Sequence, residues 1–441
     1  MLDCATTPTR FDTSAGLALE AAFDGGRLTS DGGLPWLAKM DVELGLCETM
    51  AAHVPEWRRG ASVRHSLLTL VRQRVYQVAC GYEDQNDANF LRADPLLKLA
   101  CGRLPETGAD LASQPTISRM ENAPGARACY RIAAALGEIY VEQRGKGGVP
   151  KQVLLDFDST DDPTHGEQEG SYYHGYYGQH MYHPLLVFDG ESGQLVTAVL
   201  RPGNTHASRS AVAVLKRVVA RLRRAWPSVR IEIRADAGFA VPSVYEWCEK
   251  EGVDYTIGLV TNSRLEAMAE PLLERARERY GTEGRKVRLL SEGSYRAGSW
   301  DRERRVIYKA EAMEQGTNRR FVVTSKKDGP KALYDWYVGR GEIENRIKDF
   351  KLALKADRLS CQRFLANQFR LLVHAAAYWL LDTLRGKLVG AGIERMQLDT
   401  LRLSLVKIGG RVLQSLTKVR LRLSSAHPGQ RSWHALVNNP G

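Results

Sequence analysis

The chain has 441 residues, of which 43% are hydrophobic and 26% are charged, a composition typical of a globular protein with a buried core. Its 62 Lys and Arg residues outnumber its 51 Asp and Glu residues, which gives a formal net charge of +11. This excess favours association with polyanions through counterion release from phosphates, although many basic proteins do not bind nucleic acid.

The seven cysteines are scattered, and no pair has the short spacing of a zinc ribbon or a redox motif. The N-terminus lacks a charged head followed by an apolar run, which argues against an export signal. The most apolar stretch, residues 371–381, is interrupted by His374 and is too short to span a bilayer. We therefore expect a soluble cytoplasmic protein with no membrane association.

Residues 1–150 are predicted to form a mainly helical N-terminal DNA-binding domain. Apolar residues recur at helical spacing within residues 61–80, which predicts an amphipathic helix. Ser113 and Pro115 predict the start of another helix, which is either a recognition helix or an ordinary capped one. The Gly- and Lys/Arg-rich residues 144–151 indicate a domain junction.

The pattern then changes to short strands. Residues 153–159 resemble a buried strand, and residues 183–189 and 194–200 predict a hairpin. The elements that follow are a helix at 206–226, a strand at 229–235, a helix at 242–251 and a strand at 255–260. Three antiparallel strands followed by strands joined through helices predict an α/β fold with a mixed sheet flanked by helices.

Further along, strand-like runs occur at 286–290, 305–309 and 320–324, and long helices are predicted at 332–354 and 365–384. The predicted segments are 151–262 and 331–385 for the two parts of the core, 263–330 for a β-rich insertion and 386–441 for a basic C-terminal region. Residues 385–431 hold ten Lys or Arg and two acidic residues. Within them, residues 418–423 alternate basic and apolar side chains, which fits a solvated edge strand or non-specific DNA contact.

Two aspartates end separate predicted strands. Asp158 ends the strand 153–159 and shares one strand face with Asp156, while Asp236 follows the strand 229–235. Each alone could be a structural aspartate in a turn. A carboxylate at the end of an apolar strand nevertheless needs a compensating cation if it is buried, and two on neighbouring strands favour a shared site.

A polar stripe follows one face of the predicted helix 332–354, beside an apolar stripe that can pack on the sheet. Its members are Tyr337, Arg340, Glu344, Lys348 and Lys351. A solvated charged face would explain either lysine alone but not a tyrosine and a glutamate in line with them. Three carboxylates from two strands and one helix can hold two divalent cations, and oxygen-only ligation suits Mg²⁺ or Mn²⁺.

The spacing Tyr337-x2-Arg340-x3-Glu344-x6-Lys351 resembles the signature of hairpin-forming DDE transposases of bacterial insertion sequences. Other segments are also similar to that family, and they are Leu155-Asp-Phe-Asp-Ser-Thr160, Arg201-Pro-Gly-Asn-Thr-His206, Arg234-Ala-Asp-Ala-Gly-Phe239 and Glu344-Asn-Arg-Ile-Lys348. The similarity runs from about residue 20 to the C-terminus, which suggests a full-length transposase.

The resemblance implies an RNase H-like core interrupted by a β-rich insertion. It implies that Asp158, Asp236 and Glu344 bind two Mg²⁺, and that Tyr337, Arg340 and Lys351, with Lys348 beside them, contact DNA. It further implies a cut-and-paste reaction through a hairpin, performed by a homodimer on double-stranded terminal inverted repeats and target DNA in the bacterial nucleoid.

Several alternatives stay open at this stage. Asp156 competes with Asp158 as the first metal ligand, and the Ser-Thr pair after Asp158 favours Asp158. The carboxylates would also suit an RNase H-like nuclease, and an inactive transposase-derived regulator would keep only DNA binding. His174, His180 and His183 could hold zinc, but aromatic packing or DNA contact fits their Tyr/Gly-rich surroundings better.

Overall fold

The computed structural model describes residues 8–60, 63–389 and 396–438. Its strands are β1 (Thr9–Phe11), β2 (Leu19–Ala21), β3 (Leu28–Thr29), β4 (Gln152–Ser159), β5 (Asp162–Pro163), β6 (Tyr172–His174), β7 (Gln179–Tyr182), β8 (Leu185–Asp189), β9 (Leu195–Val199), β10 (Arg230–Ala235), β11 (Asp254–Leu259), β12 (Val287–Tyr295), β13 (Arg304–Met313), β14 (Gly316–Thr324), β15 (Gly410–Gln414) and β16 (Val419–Leu423).

Its α-helices are α1 (Leu34–Leu44), α2 (Leu46–Ala51), α3 (Leu67–Ala79), α4 (Asp87–Leu91), α5 (Pro95–Ala100), α6 (Gln114–Asn122), α7 (Ala126–Gly145), α8 (Ala211–Ala225), α9 (Pro242–Glu251), α10 (Ser263–Glu283), α11 (Pro330–Val338), α12 (Gly341–Lys348), α13 (Phe364–Gly386), α14 (Leu398–Leu401) and α15 (Gln430–Asn438). Two π-helical turns cover Asp349–Ala353 and Arg402–Val406, and a 3₁₀ turn covers Ala237–Phe239. No helix in the described ranges is long and apolar enough to cross a membrane.

The chain divides into two compact units. The first, here called the terminal unit, contains the described residues of Met1–Cys47, Trp57–Met120 and Leu380–Gly441. The second, here called the sheet unit, contains Glu48–Glu56 and Glu121–Trp379. The five sequence segments predicted above are a different division of the chain and stay a prediction.

The sheet unit is built on eight strands in the order β12-β13-β14-β11-β10-β4-β8-β9. The β10–β4 and β10–β11 pairs are parallel and the others are antiparallel, so the predicted mixed sheet is confirmed. Helix α7 packs against β9 and α8, α9 packs against β11, and α10 packs against β12, β13 and β14. The predicted hairpin of β8 and β9 also forms.

The strands of the predicted insertion extend this sheet. β14 pairs with β11 over four residues, from Thr256 opposite Thr324 to Leu259 opposite Phe321. β13 and β12 follow as a meander whose buried residues Ile307 and Val322 pack with Leu333 of α11. The three strands predicted to form an insertion therefore belong to the same hydrogen-bonded sheet as β4, β10 and β11.

In the terminal unit, the helix predicted over residues 61–80 begins at Leu67, because the Ser66 hydroxyl accepts a hydrogen bond from the Thr69 amide at 3.1 Å. Residues 61 and 62 lie outside the described residues. The predicted strand at 418–423 pairs with β15 as β16, and β15 also pairs with β3. Arg420 and Arg422 of β16 are exposed between half-buried apolar residues, which confirms the alternation read from the sequence.

Candidate active site

The two strand-end aspartates lie side by side at one edge of the central sheet. β4 and β10 are parallel, with Ala235 opposite Phe157, so the next residue of each strand, Asp236 and Asp158, falls at the same level. Asp158 is 9% exposed and Asp236 is half-buried. The Asp236 Oδ1 accepts a hydrogen bond from the Gly238 amide at 2.9 Å, which fixes the start of the following 3₁₀ turn.

Arg340 joins the third carboxylate to this pair. Its Nη1 donates to Asp158 Oδ2 at 3.0 Å, and its Nη2 lies 3.6 Å from Glu344 Oε1. The guanidinium therefore sits between two carboxylates from different elements, β4 and α12. The Glu344 side chain is 58% exposed, so its carboxylate is free to turn.

The ionisation of Asp158 reflects this crowding. Burial raises its pKa to about 7; Arg340 opposes the rise, while Asp236 and Glu344 add to it. Burial acts to lower the pKa of Arg340, but Asp158 and the neighbouring acidic groups raise it above its ordinary value. Asp236 and Glu344 thus both act electrostatically on Asp158, and a nearby cation favours the charged form of Asp158.

A cleft of about 370 Å³ opens beside Asp158. Asp158 and Thr160, from the end of β4, line it together with Glu344, Lys348 and Lys351. Four side chains that the sequence assigned to one site are therefore brought to one cavity. Asp236 is not among the residues that line the cleft.

The two lysines differ in their freedom. The Lys351 ammonium donates to Asp161 Oδ1 at 2.7 Å and to the Asp161 carbonyl at 2.8 Å. That ion pair lowers the pKa of Asp161, although burial acts in the opposite direction. Lys348 is exposed and makes no ion pair within the described part of the chain.

The prediction of one continuous helix over residues 332–354 is wrong, because the structure divides this range into α11, α12 and a π-helical turn. The division falls at Gly339 and Arg340, where the Arg340 amide bonds the Tyr337 carbonyl instead of the one four residues back. That carbonyl, of Trp336, accepts a hydrogen bond from Arg234 Nη1 at 2.7 Å. A side chain from β10 thus takes the acceptor that a regular helix needs, and Arg340 lies at the start of α12.

Asp156 forms an ion pair with Arg234 and not with Arg340, the partner of Asp158. Its two oxygens accept hydrogen bonds from Arg234 Nε and Nη2, both at 2.7 Å, in a bidentate pair that is almost fully buried. The Arg234 guanidinium also lies over the Trp336 ring at 5.0 Å. Asp156 and Arg234 therefore tie β4, β10 and α11 together.

Tyr337 lies against the same strand ends. Its hydroxyl donates to the Ala235 carbonyl at 3.4 Å, and burial raises its pKa. A β-carbon built on Gly258 would lie 2.7 Å from the Tyr337 hydroxyl, so the glycine on β11 leaves the space that the tyrosine occupies.

Sequence reasoning missed Arg234 and Asp161. Arg234 stands two residues before Asp236, on the same strand face, and a buried basic residue in an apolar strand was the available signal. Aromatic packing involves all three histidines that were considered as zinc ligands. His174 packs edge-on against Tyr177 and His183 at 5.1 and 4.9 Å, and His180 packs edge-on against Tyr173 at 5.8 Å. Burial lowers the pKa of His183 to about 4.

The three carboxylates do not form a preorganised metal-binding site in this structure. Throughout residues 8–60, 63–389 and 396–438, no three His, Cys, Asp or Glu side chains form a group that could hold a metal ion. Asp236 bonds Gly238 and Asp158 bonds Arg340, while Glu344 extends toward solvent. The donor set itself, carboxylate oxygens without sulfur or imidazole, fits Mg²⁺ or Mn²⁺.

Comparison with known proteins matched the chain to a family and to solved structures. A profile of the family described as transposase DDE domain group 1 matches residues 11–439. A comparison with curated protein sequences found no significant match. Among solved structures, the chain is similar to a piggyBac transposase in a synaptic complex with hairpin DNA, with a TM-score of 0.46 and 10% identity over 90% of this chain and 81% of that one.

Proposed function

The chain belongs to the transposase DDE domain group 1 family, and we propose that it cleaves and joins DNA strands at the ends of an insertion sequence with Mg²⁺ or Mn²⁺. The observation that carries this proposal is that Arg340 contacts both Asp158 and Glu344, while Asp236, at the end of the neighbouring parallel strand, acts electrostatically on Asp158.

The sheet supports an RNase H-like core. Five neighbouring strands of the eight have the order β9-β8-β4-β10-β11, in which β9, β8 and β4 are antiparallel and β10 and β11 are parallel to β4. The two aspartates lie at the adjacent ends of β4 and β10. In this proposal β12, β13 and β14 are the insertion between the second aspartate and the glutamate.

Asp158 is proposed as the first metal ligand in preference to Asp156. Both Asp156 oxygens are engaged by Arg234, and the residue is 1% exposed, so an ion could reach it only by breaking a buried pair. Asp158 instead faces the cleft that Glu344 also lines.

Asp158, Asp236 and Glu344 would hold two Mg²⁺ or Mn²⁺ ions, which would supply activation of the attacking oxygen and charge stabilisation at the scissile phosphate. In the protein alone, Arg340 provides part of the positive charge that these carboxylates require. Tyr337 holds the Arg340 turn against β10 through the Ala235 carbonyl.

The proposed DNA contacts are Tyr337, Arg340, Lys348 and Lys351. Lys348 is the most available for a phosphate oxygen, because it is exposed on the wall of the cleft. Lys351, which also lines the cleft, forms an ion pair with Asp161 that fixes the position of its ammonium group. Cut-and-paste chemistry through a hairpin and a homodimer on paired ends belong to the same proposal, on the match of Tyr337, Arg340, Glu344 and Lys351 to the hairpin-type signature.

The test is a cleavage assay on an end-labelled duplex that carries the element's terminal inverted repeat. With Mg²⁺, the wild-type protein should nick the strand end and then give a hairpin on a denaturing gel, and product should be absent with EDTA. Asp158→Asn, Asp236→Asn and Glu344→Gln should each abolish both products.

Glu342→Gln is the matched control, because Glu342 is exposed two residues before Glu344 on the same helix, on a different face, and makes no ion pair in the described structure. Full cleavage by Asp158→Asn, or no cleavage by the wild type, would contradict the proposal. Cleavage without any joining to a target duplex would instead indicate a nuclease.

A further inference from the structure

The terminal unit contains a cleft of about 300 Å³ that four arginines surround. Arg58 and Arg64 precede α3, Arg92 follows α4, and Arg119 lies on α6. The hydroxyl residues Ser113 and Thr116, at the start of α6, line the same cleft. Cations from four places in the sequence thus converge on one cavity with neutral hydrogen-bond donors beside them.

Two of these arginines make no side-chain hydrogen bond or ion pair in the part of the chain that the structure describes. They are Arg64 and Arg119, and both are exposed. Arg92 lies 3.3 Å from the Asp110 carboxylate, which offsets one positive charge. The cleft therefore keeps unpaired guanidinium groups at its rim.

The walls are held in place by hydrogen bonds to the backbone. Arg103 donates to the carbonyls of Arg64 at 3.1 Å and Ala109 at 3.0 Å, and also contacts the His65 ring at 2.7 Å. Arg58 donates to the His65 carbonyl and stacks on the Trp57 ring at 4.8 Å. The segment that carries Arg64 is consequently fixed at the cleft before any ligand arrives.

The arginines also act on the histidine that lines this cleft. Burial is the largest cause that lowers the pKa of His65, and the charges of Arg103, Arg58, Arg92 and Arg64 act in the same direction, which together bring it to about 4. The four guanidinium groups that line the cleft, and not the burial of His65, give the site its preference for an anion.

We propose that this cleft binds a backbone phosphate of double-stranded DNA, which gives the terminal unit its own DNA-contact site. Phosphate is the anion class that matches planar guanidinium donors with added hydroxyl donors. The inference deepens the proposed function and rests on it for the choice of DNA, because DNA is the polyanion that a transposase handles. Such contacts set position and affinity rather than sequence preference.

The experiment measures binding of a fluorescein-labelled duplex of unrelated sequence by anisotropy, in EDTA so that no cleavage occurs. A variant carrying both Arg64→Gln and Arg119→Gln should bind at least about tenfold more weakly, a loss of about 1.4 kcal/mol, because two charge-assisted contacts to phosphate are removed. The slope of log affinity against log salt should fall by about 0.9 for each phosphate that the variant no longer neutralises.

Arg275→Gln is the control, because Arg275 is exposed on α10 among glutamates and should leave both quantities unchanged. Replacing Arg64 and Arg119 with lysine should restore most of the salt slope but only part of the affinity, since the charge returns without the bidentate fork. Matching thermal unfolding curves for all variants would show that the fold is intact.

Wild-type affinity and slope in the double glutamine variant would overturn the proposal. Binding of a small anion instead of DNA would also overturn it. In that case inorganic phosphate, compared with chloride at equal ionic strength, would raise the Tm of the wild type but not that of the double glutamine variant. The two proteins would then bind the duplex equally well. Failure of the proposed function would look different, because duplex binding in EDTA would still depend on Arg64 and Arg119 while Mg²⁺ produced no cleavage.

Discussion

Exchange of Asp156 and Asp158 for asparagine, one at a time, should have opposite effects on stability. The two residues lie two positions apart on the same face of β4 and are both buried. Asp156 is paired through both oxygens with Arg234, whereas Asp158 shares one contact with Arg340 and lies near two other carboxylates.

Asp156→Asn should lower the free energy of unfolding by about 3–5 kcal/mol, the cost of leaving a buried charge without its partner. Arg234 is 4% exposed and its remaining contacts are the Trp336 carbonyl and ring, which carry no opposite charge. The substitution should also loosen the interruption between α11 and α12, because Arg234 holds the carbonyl that causes it.

Asp158→Asn should instead be stabilising at neutral pH. The pKa of Asp158 is about 7 in the folded protein, against ~3.9 in an unfolded chain. Its folded pKa is raised, so the contribution to stability is fully present below pH ~4 and is lost as the pH rises through 7. At about 1.4 kcal/mol per pKa unit, the wild type should lose up to roughly 4 kcal/mol relative to Asp158→Asn between these limits.

The assay is urea denaturation followed by tryptophan fluorescence in EDTA, at several pH values between 4 and 8. The midpoint of Asp156→Asn should lie below that of the wild type throughout. The gap between Asp158→Asn and the wild type should be close to zero at pH 4 and largest at pH 8. A large destabilisation by Asp158→Asn, or none by Asp156→Asn, would refute the division of roles between them.

Three further predictions concern the packing and exposure of single residues. Gly258→Ala should displace Tyr337, lower the free energy of unfolding by about 1–3 kcal/mol and reduce cleavage activity. Gly281→Ala, in open space on α10, should lower neither stability nor activity. Cleavage at the wild-type rate by Gly258→Ala would contradict the placement of Tyr337. The six described cysteines are buried, so a Cys4→Ser protein should not react with DTNB until it is unfolded, and rapid labelling of the native protein would contradict that burial. Lys348→Gln should reduce the salt dependence of binding to a terminal-repeat duplex by about 0.9 without changing the Tm, and an unchanged slope would remove Lys348 from the contact surface.

The sequence predicted the strand ends of the site well, for a physical reason. Apolar runs closed by Asp158 and Asp236 are local patterns, and parallel pairing of β4 with β10 then brings their ends together without further specification. Helix α9 was predicted with its observed bounds because Pro242 and Gly252 mark both ends. The site residues on α12 were likewise identifiable by their spacing.

The features that the sequence did not predict depend on distant partners. The interruption before α12 arises because Arg234, about a hundred residues earlier, takes a helical carbonyl. The Arg340–Asp158 contact and the Lys351–Asp161 pair likewise join separate elements. The pairing of β14 with β11 decides that the insertion continues the sheet, and no local pattern encodes that choice.

The central claim is that Asp158, Asp236 and Glu344 act as one site for divalent metal, and Mn²⁺ titration followed by electron paramagnetic resonance tests it most directly. Wild-type protein with a bound, uncleaved terminal-repeat duplex should bind two Mn²⁺ per chain, with the spectral broadening of two coupled ions. Asp158→Asn, Asp236→Asn and Glu344→Gln should each lose the coupled signal, while Glu342→Gln should keep it. A coupled signal that survives Asp158→Asn, or no Mn²⁺ binding by the wild type, would contradict the account.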